Sequence, residues 1–341
     1  MSGDLTPAAK SDRSFHLAEN VIARGSKTIV EIPVLTEPDG TTIVIPILVV
    51  HGAEAGPVLN LSAGQHGDEY MAGEACRRLY QELDPARLKG TLVAAPCINV
   101  QAFKAGSRLT PDDRGDLNRV WPGRPDGTLT EQIAFSYLHQ VVASCDYLLD
   151  FHDGGTWLAM EPLCGIDRVA ETHLYRRSRE MAILTGVPVL WADDPWPGSL
   201  PVEALRLGIP ALTVESGADL DEPEAVVAGH LRMVRSLMCG LGMLPGAADA
   251  GGGSEQVCGK FARCTVRGLF KPCARRGAHV DRGDLIGVVV GTTGAVVEEV
   301  RAVASGRLLF LRRLSVVQPG ERAYLIGEPV DPTSVNGGES V

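Results

Sequence analysis

The chain has 341 residues, of which 45% are hydrophobic and 22% charged, a balance that excludes disorder, collagen-like repeats and coiled coil. At about 150 residues per domain the length implies roughly two domains. Asp and Glu number 42 against 32 Lys and Arg, a formal net charge of -10, so no basic footprint points to nucleic acid or to an anionic membrane surface.

The opening segment MSGDLTPAAKSDRSF is polar and lacks the apolar stretch of a secretion signal; residues 1–15 read as a mobile N-terminus. Strands are expected at Thr28–Pro33 and Thr41–Val50, joined by the turn signal Pro38-Asp39-Gly40. The apolar run within the second, Ile43–Val50, contains Pro46 and is far short of the roughly 20 residues that span a bilayer. Strands and helices then alternate: strand Val58–Ser62, helix 69–83, strand Thr91–Pro96, helix 130–144, strand Tyr147–Phe151, helix 170–185, strand Ile209–Val214 and helix 222–240. Such alternation predicts an α/β fold with a mixed, mostly parallel sheet and helices on both faces.

Composition changes near residue 250, where Gly-rich sequence reads as a linker (246–256) between a domain at 16–245 and a β-rich C-terminal domain at 257–341. Short β-like runs such as Leu285–Val290 and Arg307–Leu311, separated by turns, predict a small all-β barrel or sandwich there. Eight cysteines are scattered without a CxxC pair, the usage expected of a reducing cytoplasm.

Chemistry is concentrated at predicted strand ends, the edge at which open α/β sheets hold ligands. His66 and Glu69 follow the strand at 58–62, and His152 follows the strand at 147–151. Two His and one Glu make the donor set of a catalytic zinc site that leaves one position open for water. Alone, either His reads as readily as a capping or turn residue. Glu215 ends a further apolar strand, and beside a metal-activated water it has the chemistry of a general base; by itself it reads as a salt-bridged or helix-entry Glu. Between these segments lies a long loop rich in Arg and Asn, including Arg108, Arg114, Asn118 and Arg119. Fixed guanidiniums suit carboxylate recognition, whereas the plain alternative is a solvated loop of Arg–Asp pairs. Asp150 shares a strand face with His152 and competes with Asp153 for the task of orienting its imidazole, unless either simply caps the turn. Trp157, Trp191 and Trp196 serve either as pocket walls or as packing anchors.

The segments GQHGDEY (64–70), the run from Asn99 through Ser107-Arg108 to DLNRVWPG (116–123), DFHDGG (150–155) and VESG (214–217) resemble, in order and spacing, the succinylglutamate desuccinylase and aspartoacylase family, relatives of the zinc carboxypeptidases. The resemblance spans residues 40–330 and is closest to the branch that includes N-acetyl-diaminobutyrate deacetylases. It implies a zinc carboxypeptidase-like fold, one Zn2+ bound by His66, Glu69 and His152, and Glu215 as base and then acid. It further implies that Arg108 polarises the scissile carbonyl, with Arg114 as the alternative because the spacing from Arg108 to Asn118 exceeds the aspartoacylase pattern. Asn118 and Arg119 would grip the substrate carboxylate. The implied reaction is deacylation of an N-acyl amino acid; the rivals are a peptide-cleaving carboxypeptidase and a non-catalytic metal- or ligand-binding protein. The aspartoacylase groups for a second carboxylate have no counterpart in this sequence, so a neutral or cationic substrate side chain is expected. The segment Gly277–Gly287 resembles the family's barrel-like C-terminal domain, which reads as a lid or a homo-oligomer contact. It resembles biotinyl or lipoyl carriers only distantly, and no Lys lies at Gly291–Gly294 for covalent attachment; His279 reads as a turn residue.

Overall fold

A computed structural model describes residues 14–168, 173–217, 222–249 and 254–330. The expected mobile segment falls outside them up to residue 13, as do residues 250–253 of the expected linker, 170–172 of the expected third helix and 331–341 of the expected C-terminal domain.

A small hairpin of β1 (Phe15–Leu17) and β2 (Asn20–Ile22) leads into β3 (Ser26–Thr36), β4 (Thr42–His51) and β5 (Glu54–Ser62). There follow α1 (Met71–Glu82), β6 (Lys89–Ala95), α2 (Val100–Ala105), α3 (Leu129–Gln140), β7 (Tyr147–His152), β8 (Leu158–Met160), β9 (Leu163–Asp167) and α4 (His173–Leu184). Then come β10 (Val189–Asp193), α5 (Leu200–Arg206), β11 (Ala211–Glu215) and α6 (Pro223–Gly240). The remainder is all β: β12 (Glu255–Arg263), β13 (Gly268–Pro272), β14 (His279–Val280), β15 (Leu285–Val290), β16 (Val296–Arg301), β17 (Gly306–Arg312), β18 (Ser315–Val317) and β19 (Arg322–Pro329). No helix among the described residues is long and apolar enough to cross a membrane.

Thirteen strands form one mixed sheet in the order β14-β17-β19-β12-β10-β9-β11-β7-β5-β6-β4-β3, with β8 added on β17. Its centre is mostly parallel: β6, β5, β7 and β11 run together, and β9 pairs parallel with β10. One antiparallel junction, β9 with β11, interrupts the series. The last region does not stand apart from this sheet, because β12 pairs parallel with β10 and antiparallel with β19. Strands β16, β15, β13 and β18 make a second, four-stranded antiparallel sheet.

Side-chain alternation explains the layering. Along β7, Tyr147, Leu149 and Phe151 face a core shared with α1, α4 and α6, while Leu148 faces a second core built with α3 and α5. All six residues of β7 are buried, as expected of a strand covered by helices on both faces. α3 begins with a capping box in which Thr128 and Glu131 satisfy each other's backbone N–H groups. The sequence pattern leaves β9, β10 and α5 unannounced.

One buried polar contact crosses the second core. The Tyr137 hydroxyl donates to Asn60 Oδ1 at 3.0 Å, with both residues fully buried. Replacing Tyr137 with Phe leaves that amide oxygen without a donor or water, and should cost about 1–3 kcal/mol in urea-induced unfolding with little change in far-UV dichroism.

Candidate metal centre and active site

Strands β5, β7 and β11 are mutually parallel neighbours, so their carboxyl ends open on one edge. The turn after β5 carries His66 and Glu69, ahead of α1 rather than within it. It is tied to the segment around α2: Asn99 N–H donates to Gly64 O at 3.0 Å, and Gly67 N–H to Ser107 O at 2.9 Å. A Cβ on Gly67 would lie 2.0 Å from the Ala102 carbonyl carbon, so only glycine permits this approach. The same ties bring Arg108 beside His66.

His66, Glu69 and His152 converge, with one ligand atom from each lying within 4.8 Å of the others. The Glu69 carboxylate spans the two imidazoles, Oε1 at 2.8 Å from His66 Nδ1 and Oε2 at 2.9 Å from His152 Nδ1. The far ring nitrogens face other carboxylates: His66 Nε2 lies 3.1 Å from Asp116 Oδ1, and His152 Nε2 lies 3.2 Å from Asp150 Oδ2. Both Nδ1 atoms therefore face the convergence point while Nε2 is anchored behind, the arrangement that orients metal-ligating histidines. Asp150 is in turn fixed by donors from Ser62 Oγ at 2.7 Å and Gln65 Nε2 at 2.7–2.8 Å. Of the two aspartates that competed in the sequence, Asp150 meets the His152 ring. Asp153 instead accepts from the backbone N–H groups of Met71 and Gly155.

The electrostatics call for a cation. Burial would raise the Glu69 carboxyl, but the two imidazoles outweigh it and hold it well below the usual range. His152 is drawn the opposite way: burial disfavours its charge, yet Asp150 and Glu69 lift it well above an ordinary imidazole. Burial and then Glu69 push Asp153 up to about 8 and raise Asp68 too. Buried Asp68 Oδ1 and Glu215 Oε2 have no hydrogen-bond partner among the described residues. An excess of desolvated carboxylates around two imidazoles is the environment a divalent ion relieves, so the residues present fit a metal.

The remaining candidates surround this point. Register pairs Glu215 of β11 with His152 of β7, placing the carboxyl beside the cluster, where burial pushes it up to about 7. Arg108 reaches Glu69 Oε1 at 3.4 Å and Asp116 Oδ2 at 3.3 Å. Arg114 is exposed and does not line the pocket. Asn118 Nδ2 sits 3.2 Å from His152 Nε2, and Arg119 lies over the Trp196 ring at 5.2 Å. All these residues except Arg114 line one pocket, together with Trp157, Trp191 and Trp196. Two of its walls, Phe310 of β17 and Arg322 of β19, come from the C-terminal strands. Sequence reasoning named neither, and it assigned no task to Gln65 or Asp116, although both stand inside the quoted motifs.

Two outcomes test the centre. Removing divalent ions with a chelator should lower the melting temperature, and readdition should restore it in the native chain but not in Glu69→Ala, because an ion that binds only the folded state stabilises it. Asp150→Ala should weaken ion affinity by about 10- to 100-fold in a calorimetric titration.

Comparison with known proteins identifies the family. The sequence profile of the succinylglutamate desuccinylase/aspartoacylase catalytic domain matches residues 55–238, more than half of the chain. An N-alpha-acetyl-L-2,4-diaminobutyric acid deacetylase from Halomonas elongata is 37% identical over 146 residues, which cover 43% of this chain and 42% of that protein. The match thus spans less than half of the relative's length. Among solved structures, a succinylglutamate desuccinylase from Silicibacter sp. TM1040 superposes with a TM-score of 0.79 at 26% identity, covering 89% of this chain and 95% of that one. The product-bound ectoine utilization protein EutE (DoeB) from Ruegeria pomeroyi gives 0.79 and 26%, with 88% and 95% covered. An aspartoacylase family protein from Mesorhizobium loti shares the fold, with a TM-score of 0.80 at 23% identity over 94% of this chain and 100% of its own. On the profile match, the chain belongs to the succinylglutamate desuccinylase/aspartoacylase family.

Proposed function

We propose that the protein is a zinc-dependent deacylase that hydrolyses the amide of a small N-acyl amino acid, of the kind typified by N-acetyl-diaminobutyrate. The observation that carries this reading is the meeting of His66, Glu69 and His152 with an unpartnered Glu215 oxygen in the same buried pocket. Family membership and the name of the Halomonas elongata relative support it.

His66 and His152, through Nδ1, and Glu69 would hold the ion. Bound there, Zn2+ supplies a Lewis acid for the amide carbonyl and lowers the pKa of a water toward about 7. Glu215 takes the proton from the attacking water and later delivers it to the leaving amine; a carboxyl buried enough to sit near neutrality can do both. Arg108, already directed at the cluster by Glu69 and Asp116, offers a guanidinium to the developing oxyanion. Asn118 and Arg119 take the substrate carboxylate. A peptide-cleaving role is disfavoured because Phe310 and Arg322 wall the pocket from the C-terminal side, where a peptide groove would have to continue.

The test is acetate release from a panel of N-acetyl amino acids that includes Nα-acetyl-L-2,4-diaminobutyrate. Turnover should vanish with a chelator and return with Zn2+. Glu215→Gln should retain zinc and lose roughly 10²- to 10⁴-fold in kcat. Near-normal rates in that variant would remove Glu215 as the base, and a zinc-loaded chain inert on every amide would favour a binding protein instead.

A further inference from the structure

The pocket holds more positive charge than its internal pairing uses. Arg108 has Glu69 and Asp116 as partners. Arg119 donates to the carbonyl oxygen of Asn118, but neither its guanidinium nor that of Arg322 makes an ion pair among the described residues, and the Arg322 guanidinium makes no hydrogen bond among them; the Arg322 carbonyl oxygen accepts from Arg312. Both guanidiniums are nonetheless held in place by the same ring, since Arg119 and Arg322 lie 5.2 and 5.0 Å from the centre of Trp196. Arg322 also covers Phe261 at 4.3 Å. Stacking occupies the flat faces of a guanidinium and leaves the N–H fork at its edge free.

The arrangement is electrically strained without a ligand. Burial, and then the neighbouring Arg119 and Arg108, push Arg322 down to about 10, and burial heads the causes that lower Arg119. Arg322 remains cationic at neutral pH, so the strain is carried as unpaired charge. Two guanidiniums, Arg322 half-buried and Arg119 more exposed, that repel each other, stack on one indole and line the same cavity as the metal ligands make a receptor for an anion.

We infer that Arg322 completes a two-arginine clamp with Arg119 for the substrate carboxylate, so that β19 contributes a substrate-positioning residue to a site whose other polar lining residues all lie before 220. This rests on the deacylase reading for the identity of the ligand. The ligand class is an N-acyl amino acid with a free carboxylate; an uncharged carboxamide analogue would leave both forks without an anion.

Binding tests it separately from turnover. Nα-acetyl-L-2,4-diaminobutyrate and its carboxamide are titrated calorimetrically into the zinc-loaded Glu215→Gln protein, with and without Arg322→Gln or Arg322→Lys. With Arg322 present the acid should bind at least about 30-fold more tightly than the carboxamide, in keeping with a charge-assisted, two-pronged contact. Arg322→Gln should weaken the acid by roughly 10- to 100-fold and the carboxamide by less than about threefold. Arg322→Lys, which keeps the charge and most of the bulk, should retain part of the preference and serves as the measurement should the Gln variant not fold. Equal losses for acid and carboxamide, or no preference with Arg322 in place, would overturn the clamp. If the acid preference depends on Arg322 but the native enzyme releases no acetate, the clamp stands and the deacylase reading falls.

Discussion

Six carboxylates, those of Asp68, Glu69, Asp116, Asp150, Asp153 and Glu215, crowd around two buried imidazoles, and among the described residues only one guanidinium, Arg108, is paired into the cluster. At the low effective dielectric of such a site, each unscreened like-charge contact is expensive. The surrounding structure manages that cost in two ways. It turns neutral donors onto a buried carboxylate, as Ser62 and Gln65 do for Asp150. It also lets others rise toward neutrality, as burial does for Asp153 and Glu215. What remains is a point flanked by two Nδ1 atoms and the Glu69 carboxylate, where a doubly charged ion would replace repulsion with coordination.

The sheet makes this concentration of charge possible without unfolding it. Three parallel strands end together, so the polar groups gather at one edge while Leu149, Phe151, Leu212 and Val214 remain in the hydrocarbon core. Because alternate residues face opposite sides, Asp150 and His152 share the face that Leu148 turns toward α3 and α5. The Glu215–His152 register then fixes the base candidate beside the ligand candidate through backbone hydrogen bonding rather than side-chain packing.

Much of this was legible beforehand for a physical reason. His66, Glu69, His152 and Glu215 follow strong apolar runs, and a buried parallel strand announces its own end by the arrival of polar residues. The quoted motifs added Arg108, Asn118 and Arg119, which the structure brings to the same pocket. Less could be read where partners meet only through tertiary contact. Asp116 reaches His66 across 50 positions, Trp121 Nε1 donates to Gln65 Oε1 across 56, and Arg322 reaches Trp196 from β19. None of these pairs leaves a periodic or local trace.

The junction of β10 with β12 has a mechanical consequence. A wall joined to the floor by a continuous ladder of main-chain hydrogen bonds cannot swing as a hinged door without tearing the ladder. Phe310 and Arg322 are therefore fixtures of the cavity, and its width on that side is set when the chain folds rather than when a molecule arrives. Traffic in and out must pass through rearrangement of side chains and connecting loops.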